Sequence, residues 1–392
     1  MKICFVRIMP YPFTVGGGTT HLRNLSRALI EQGHEVHIIS AKPEHYNKGL
    51  LKDEKAIVHN VGIGHKKFSS NLFLLPFEAI RRALFEISFM ISSYKLVEKL
   101  KPDVVHCQTA LTESFPFALM KKPFIITEHG VHIKGMTELY KHKKNLASGI
   151  GIWTYKQLEK FNIKKAKRII CINEEAKEYY EKLSGKKCDV IGNGIFIEKK
   201  KIEKKKKRIY FTLSRLSEEK GIDYLFDALK IIDSKVLKIE LWVAGDGEKS
   251  YVQNLHKKAS ELNNVKVKFF GMVAGEKKEK ILSGGAIIIS ASLFENFPVT
   301  FLEAMEHKCA IIASDTAGAK EIVKNNFGIL VPFSEEEKRA ENLAKAMEKS
   351  LKWNIAKMGS AARKEAEKYD YRKIVKKYIK IYQDFIAKYE RK

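Results

Sequence analysis

The sequence contains no C-x-x-C pair. Its five cysteines, Cys4, Cys107, Cys171, Cys188 and Cys309, are scattered and odd in number. That arrangement supports neither a disulfide framework nor a cysteine-based zinc site, and it fits a reducing, cytoplasmic compartment. Long apolar runs are also missing. The longest uncharged stretches, Ile8 to Leu22 and Ser283 to Phe294, fall short of the ~18 continuous apolar residues a spanning helix needs, so an integral membrane protein is not expected. The N-terminal segment MKICFVRIMPYPF has Arg7 inside its apolar stretch and no small-residue cleavage site, which argues against a signal peptide.

Acidic residues are the scarce charge. The 392 residues hold 72 Lys+Arg against 46 Asp+Glu, a formal net charge of +26. Such a balance favours anions: phosphates, nucleic acid or a lipid surface. The 45% hydrophobic and 10% aromatic content is enough to bury real cores and excludes wholesale disorder. At roughly 150 residues per domain, two or three domains are expected. The charge is uneven. Residues 1–196 carry 31 basic and 18 acidic residues, whereas residues 209–350 carry 20 and 21. A functional basic face on the first part and simple lysine enrichment are both compatible with that split.

The chain opens as strand, glycine turn, helix, strand. Ile3 to Ile8 is apolar and Gly16-Gly17-Gly18 breaks it. Leu22, Leu25, Ala28 and Leu29 recur at helical spacing, and Gly33 precedes Val36 to Ile39. Such βαβ units imply a parallel sheet with helices on its faces. Short apolar runs at 104–105, 124–126, 169–172 and 190–191 bring the first series to about six strands. The segment IEKKKIEKKKKR at 197–208 has almost nothing to bury and is read as a solvated linker. A second series follows at 209–213, 239–244, 265–270, 286–290, 310–313 and 328–331. The domain reading is therefore 1–196, a linker at 197–208, a second doubly wound domain at 209–368 and a terminal helix at 369–392. That helix carries an aromatic stripe read as packing.

Ligands of open parallel sheets bind beyond the carboxyl ends of the strands, so the residues after each strand are the candidates. Val15-Gly-Gly-Gly-Thr-Thr20 opens a helix whose N-terminus favours phosphate, although it is neither dinucleotide fingerprint nor P-loop. His129 follows the fourth strand; with His132 it lacks the further ligands of a zinc site. Arg215 and Lys220, in Ser214-Arg-Leu-Ser-Glu-Glu-Lys-Gly221, could clamp a diphosphate or pair with Glu218 and Glu219 on the surface. The most specific segment is Ser290 to Met305. Pro298 suits the first helical position, leaving the N–H groups of Val299, Thr300 and Phe301 exposed to a ligand. Glu295 and Glu303 flank that helix start and could hold sugar hydroxyls.

These residues resemble the retaining glycosyltransferases of family 4. The E-x7-E pattern from Glu295 to Glu303 lies downstream of Arg215-x4-Lys220-Gly221. The early glycine loop, His129, Asn193-Gly194 and Gly245-Asp246-Gly247 also match in order, so the likeness covers nearly the whole chain. It implies an α/β GT-B fold, two Rossmann-like doubly wound domains facing a central cleft. It also implies transfer of a sugar from a nucleotide diphosphate sugar with retention at the anomeric carbon. Glu303 would then hold the ribose, and Arg215 and Lys220 would neutralise the leaving diphosphate. Glu295 would bind the donor sugar with Asn296 and the amides of Phe297, Val299 and Thr300. Gly17 and Gly18 would meet the distal phosphate, and His129 would lie beside the anomeric carbon. Gly271, Met272 and Val273 would skirt the base. No cofactor and no metal is expected. Ser214 and Pro298 depart from the commoner family residues, both glycine.

The basic first domain is expected to take the acceptor. Residues 68–94, with Arg81, Arg82, Leu84, Ile87, Met90 and Ile91, read either as a helix packed on its own domain or as a surface for an anionic membrane. Packing is the reading preferred for that helix. Lys134 to Arg168, with Trp153 and Tyr155, is a second basic stretch. The acceptor is expected to be a sugar, glycan or lipid-linked molecule, and the protein cytoplasmic or peripheral on the inner face of the cell membrane. A sugar-nucleotide 2-epimerase of the same fold and a basic nucleic-acid-binding protein are the alternatives. No nucleic-acid module is present, so nucleic acid is not expected as a partner.

Overall fold

The computed structural model describes residues 1–12, 16–43, 55–65, 75–131, 146–198, 202, 205 and 207–389. Contacts divide the chain into two units. The first is Met1–Gly194 with Tyr371–Lys392, and the second is Ile195–Asp370.

In the first unit a parallel sheet is built from β1 (Lys2–Arg7), β2 (Glu35–Pro43), β3 (Ile57–His65), β4 (Val104–Cys107), β5 (Ile125–Glu128), β6 (Arg168–Cys171) and β7 (Asp189–Val190). The strand order is β3-β2-β1-β4-β5-β6-β7. Ile3 to Val6 and Val104 to Cys107 are buried residue after residue, as strands covered on both faces must be. The seventh strand, β3, is one more than the sequence pattern predicts. Its run IVHNVGIGH is diluted by two glycines, two histidines and an asparagine, and it occupies the sheet edge. Gly62 lies in the left-handed region (φ 77°), where a Cβ would stand 3.2 Å from the backbone nitrogen of Phe89.

The second sheet runs β10-β9-β8-β11-β12-β13, again all parallel. Its strands are β8 (Ile209–Leu213), β9 (Ile239–Ala244), β10 (Val265–Gly271), β11 (Ile287–Ser290), β12 (Ala310–Ser314) and β13 (Gly328–Val331), the six that the pattern predicts. Leu225, Leu229 and Ile232 form the inner stripe of the helix Ile222–Ser234 and share a core with Tyr210, Leu241 and Ile287. In each sheet the order reverses once on either side of the first strand, between β1 and β4 and between β8 and β11. Those two crevices are where a parallel α/β sheet takes its ligands.

The lysine-rich strap differs from its expected solvated state. Lys205 donates to the carbonyls of Leu282 and Ser283 at 2.6 and 2.8 Å, at the negative end of the helix Gly275–Gly284. Burial lowers its pKa. Arg208 donates to the carbonyls of Ser350 and Trp353. The described strap residues are thus fastened to the second unit, because free helix C-terminal carbonyls are good acceptors for cations even where there is nothing apolar to bury.

The terminal helix runs Tyr371–Tyr389, beginning two residues later than expected, and belongs to the first unit. Its aromatics do more than pack. The Tyr371 hydroxyl meets His21 Nδ1 at 3.0 Å and the Tyr382 hydroxyl meets His106 Nδ1 at 2.8 Å, all four side chains being buried. Among the described residues no helix is long and apolar enough to cross a membrane.

Candidate functional site

Two loops meet at the β8/β11 crevice: Ser214–Gly221 after β8, and Ala291–Pro298 after β11. Gly221 joins them. Its φ is 61°, and a Cβ there would fall 1.9 Å from the carbonyl oxygen of Ala291, so only glycine lets the two backbones touch. The Leu293 amide donates to the Glu219 carbonyl at 2.9 Å, closing the contact. The third loop, after β9, lies against the first. A Cβ on Gly245 would stand 1.8 Å from the Ser214 carbonyl oxygen.

Upon this frame the charged side chains pair selectively. Lys220 Nζ donates to Glu295 Oε1 at 2.7 Å, both largely shielded, and Ser292 donates to the same oxygen at 3.1 Å. Arg215 instead pairs with Glu219, and its side chain is 73% exposed. The sequence left open whether both cations pair locally; the structure separates them, one turned inward to Glu295 and one held at the surface. Glu303 sits within the helix Val299–Glu306. Its Oε1 accepts from Lys278 Nζ at 2.7 Å, while its Oε2 is buried with no hydrogen-bond partner among the described residues. A buried carboxylate oxygen left without a donor is costly unless something supplies one.

The helix start differs from expectation in two details. Pro298 (φ −73°, ψ 103°) is the cap and Val299 the first helical residue. The Phe301 amide is already bonded to the Pro298 carbonyl at 3.0 Å, so of the three expected N–H groups only those of Val299 and Thr300 have no partner among the described residues. A proline with extended ψ leaves its carbonyl pointing along the axis, where it takes the third amide itself. Asn296 and Phe297 lie on the loop before it, and the Phe297 ring packs edge-on to Tyr369. Gly271 (φ 63°) ends β10, and Met272 beyond it is 75% exposed. The same turn leads into the helix Gly275–Gly284 that carries Lys278. Arg215, Lys220, Glu295 and Glu303, with Asn296 to Thr300 and Gly271 to Val273, are therefore all placed at the carboxyl edge of one sheet. Lys278 was not singled out by the sequence reading. In a run with Lys277 and Lys280 nothing marks it, since only the fold shows which lysine faces Glu303.

Gly17, Gly18 and His129 belong to the first unit. The helix Gly17–Glu31 starts on these glycines, whose own amides have no partner among the described residues, and a Cβ on Gly18 would stand 3.3 Å from an Arg7 guanidinium nitrogen. Burial lowers the Arg7 pKa, with Glu113 opposing. His129 Nε2 faces Gln108 Oε1 at 3.2 Å and its ring meets His21 edge-on. Arg7, Gly18, Glu86, Gln108, His129 and Tyr155 line part of a cavity of about 520 Å3. On its far wall Tyr155 takes a hydrogen bond from Arg82 and donates to Glu86 at 3.2 Å. Burial and the neighbouring carboxylate push the Tyr155 phenol up to about 12. His132, Val15 and residues 68–74 and 134–145, read earlier from the sequence, lie outside the described residues. Among the described residues no group of three or more His, Cys, Asp or Glu side chains is placed to hold a metal ion.

Two parallel α/β units, each with a ligand-ready crevice, one of them edged by an E-x7-E helix start and an inward lysine, define a GT-B transferase. The chain belongs to the glycosyltransferases of family 4 and group 1: the Glycosyltransferase Family 4 model matches residues 15–199 and the Glycosyl transferases group 1 model matches 195–368. It is 25% identical to an uncharacterized glycosyltransferase of Methanocaldococcus jannaschii, over 97% of this chain and 98% of that one. It is also 25% identical to the phosphatidylinositol N-acetylglucosaminyltransferase GPI3 subunit of Saccharomyces cerevisiae, covering 95% of this chain and 80% of the relative. Sucrose-phosphate synthase of Thermosynechococcus elongatus shares the fold, with a TM-score of 0.77 at 17% identity over 98% and 99% of the two chains.

Proposed function

We propose that the protein is a retaining hexosyltransferase that moves a sugar from a UDP- or GDP-linked donor to a lipid-linked or cell-surface glycan acceptor, without a metal. The observation that carries this reading is Glu303: one carboxylate oxygen is held by Lys278 and the other is buried and free to accept from a ribose hydroxyl. Lys220 and Arg215 supply positive charge for the diphosphate, and the free amides of Val299 and Thr300 add the partial charge of a helix N-terminus. The acceptor oxygen bonds to the anomeric carbon on the face from which the diphosphate departs. The carbon–oxygen bond to phosphate breaks with its electron pair, and the acceptor proton passes to a leaving phosphate oxygen. Glu295, already tied to Lys220, orients the sugar hydroxyls, and His129 lines the cavity offered to the acceptor. The yeast relative acts, by its name, on phosphatidylinositol, which supports a lipid-borne acceptor, and in this reading the protein works on it at the inner face of the cell membrane.

The test is thermal shift at fixed ionic strength with UDP, GDP, ADP, CMP and their sugar conjugates. A ligand at ~100 times its dissociation constant stabilises by ~2.7 kcal/mol. One nucleotide family should shift the protein and lose its effect in Glu303→Ala. No shift with any of them overturns the reading. Acceptor-free conversion of the sugar nucleotide into its C2 epimer would favour an epimerase.

A further inference from the structure

Two helices of the second unit are joined at consecutive residues beside the donor edge. The helix Gly275–Gly284 presents Lys278 and then Glu279; the helix Val299–Glu306 presents Glu303 and, one turn on at its C-terminal cap, His307. The first joint is the Lys278–Glu303 pair at 2.7 Å. In the second, His307 Nε2 lies 3.0 Å from Glu279 Oε1, and His307 Nδ1 lies 2.8 Å from the Glu303 carbonyl oxygen. An ionised carboxylate and a carbonyl oxygen can only accept, so both contacts form together only when both ring nitrogens carry hydrogen. The buried ring then bridges the two helices as a donor at each end, a task that no amide side chain can take over. Other charges surround the joint. Lys205 of the strap lies within electrostatic reach of Glu279 and holds the last carbonyls of the same helix, at Leu282 and Ser283. Lys308, next to His307, donates to the Ile202 carbonyl, and Arg363 from the helix Ile355–Ala366 pairs with Glu306 at 3.1 Å.

The two joints differ in stiffness. Lys278 is a long, flexible side chain, 30% exposed, and such a pair holds its carboxylate only loosely. The His307 ring is buried and tied at both nitrogens, so its bonds set the spacing and rotation of one helix against the other. That register decides how far Lys278 must reach. We infer that His307 and Glu279 are positioning residues for donor binding: their hydrogen bond fixes the register of the two helices so that Lys278 meets Glu303 before a nucleotide arrives. They act through Lys278 and Glu303 rather than on the nucleotide. The inference deepens the proposed function and rests on its reading of Glu303 as the carboxylate that takes the ribose.

The experiment is a double-mutant cycle on the full chain, read by calorimetric titration with UDP and with GDP. Wild type, His307→Gln, Glu279→Gln and Lys278→Met are compared with the doubles His307→Gln/Lys278→Met and Glu279→Gln/Lys278→Met. His307→Gln should weaken binding of the recognised nucleotide about fivefold, and Glu279→Gln, which keeps an acceptor but not its charge, about threefold. In the Lys278→Met background, itself about tenfold weaker, either change should add less than about twofold, because the route it acts through is gone. A merely structural role would lower the melting temperature of the nucleotide-free protein and weaken binding by the same factor with or without Lys278. Losses that multiply in the doubles therefore overturn the inference, and so does wild-type affinity in both single variants. Should His307→Gln not fold, Glu279, whose side chain is 43% exposed, carries the same cycle. Binding of neither nucleotide by wild type overturns the transferase reading and this inference with it; binding with multiplying losses overturns the inference alone.

Discussion

The two units share a topology and differ in how their crevices are finished. In the second unit the ligand edge is closed by backbone against backbone, at Gly221 and Gly245, and its charges are paired lysine to glutamate. In the first unit the corresponding edge opens into a cavity lined by arginine, histidine and tyrosine, above a core that buries His21 and His106. A parallel sheet fixes where a ligand binds; the loops fix what chemistry binds there. The second unit's edge is closed and charge-matched, and the first unit's is open.

The largest expected difference between the units is in acid. Burial lowers the His106 pKa to about 3 and the His21 pKa to about 4. Both have hydroxyl partners, whereas the second unit's buried His307 faces a carboxylate, Glu279, at 3.0 Å. As pH falls below the unfolded value of about 6.5, the unfolded chain takes up protons at both sites and the folded chain does not, so stability drops. The loss between pH 7 and pH 5 is about 2 kcal/mol for each histidine. Urea unfolding at pH 7, 6 and 5 checks it. The His106→Gln variant should show a pH dependence shallower by about one proton, and an unchanged slope would break the contrast.

Next in size is the glycine test of the closed and open edges. Gly221→Ala forces a Cβ into the Ala291 carbonyl at a left-handed φ and should cost about 3 kcal/mol. Gly18→Ala meets only the end of a flexible Arg7 side chain at 3.3 Å, with no such φ, and should cost less than about 1 kcal/mol. Comparable losses of melting temperature in the two variants would mean that the edges are built alike.

The second unit is the more legible in sequence. Its strands are dense apolar runs such as Ile287-Ile288-Ile289, and its site residues follow them at short, fixed spacing. What sequence could not show depends on contacts distant in the chain. β3 is an edge strand with few apolar residues to reveal it. Lys205 and Arg208 sit in a lysine tract and acquire meaning only from helix ends some eighty and one hundred and forty residues away. The Tyr382–His106 hydrogen bond spans 276 positions, and spacing carries no trace of it. In the helix Leu75–Leu100 the exposed stripe from Phe77 to Ile91 has the periodicity of any amphipathic helix, and only burial separates it from the face of Phe85, Phe89 and Val97 that packs in the core.

The smallest expected effect concerns Lys278, which separates a pre-set donor edge from one assembled by the ligand. Its ammonium group holds Glu303 Oε1, while Oε2 has no partner among the described residues. Lys278→Met removes the ion pair and frees the carboxylate to rotate, while the side-chain length is nearly kept. Because the pair is partly exposed, the effect should be modest: about a tenfold rise in donor KM, equivalent to about 1.4 kcal/mol, with kcat little changed. Lys278→Arg should restore most of the affinity, since a guanidinium can take the same carboxylate oxygen. A merely structural role would lower the melting temperature and depress kcat with KM, and arginine would not rescue it selectively. A fall in kcat at constant KM would place Lys278 in the transition state instead, and the donor edge would then be less complete before binding than the Glu303 geometry implies.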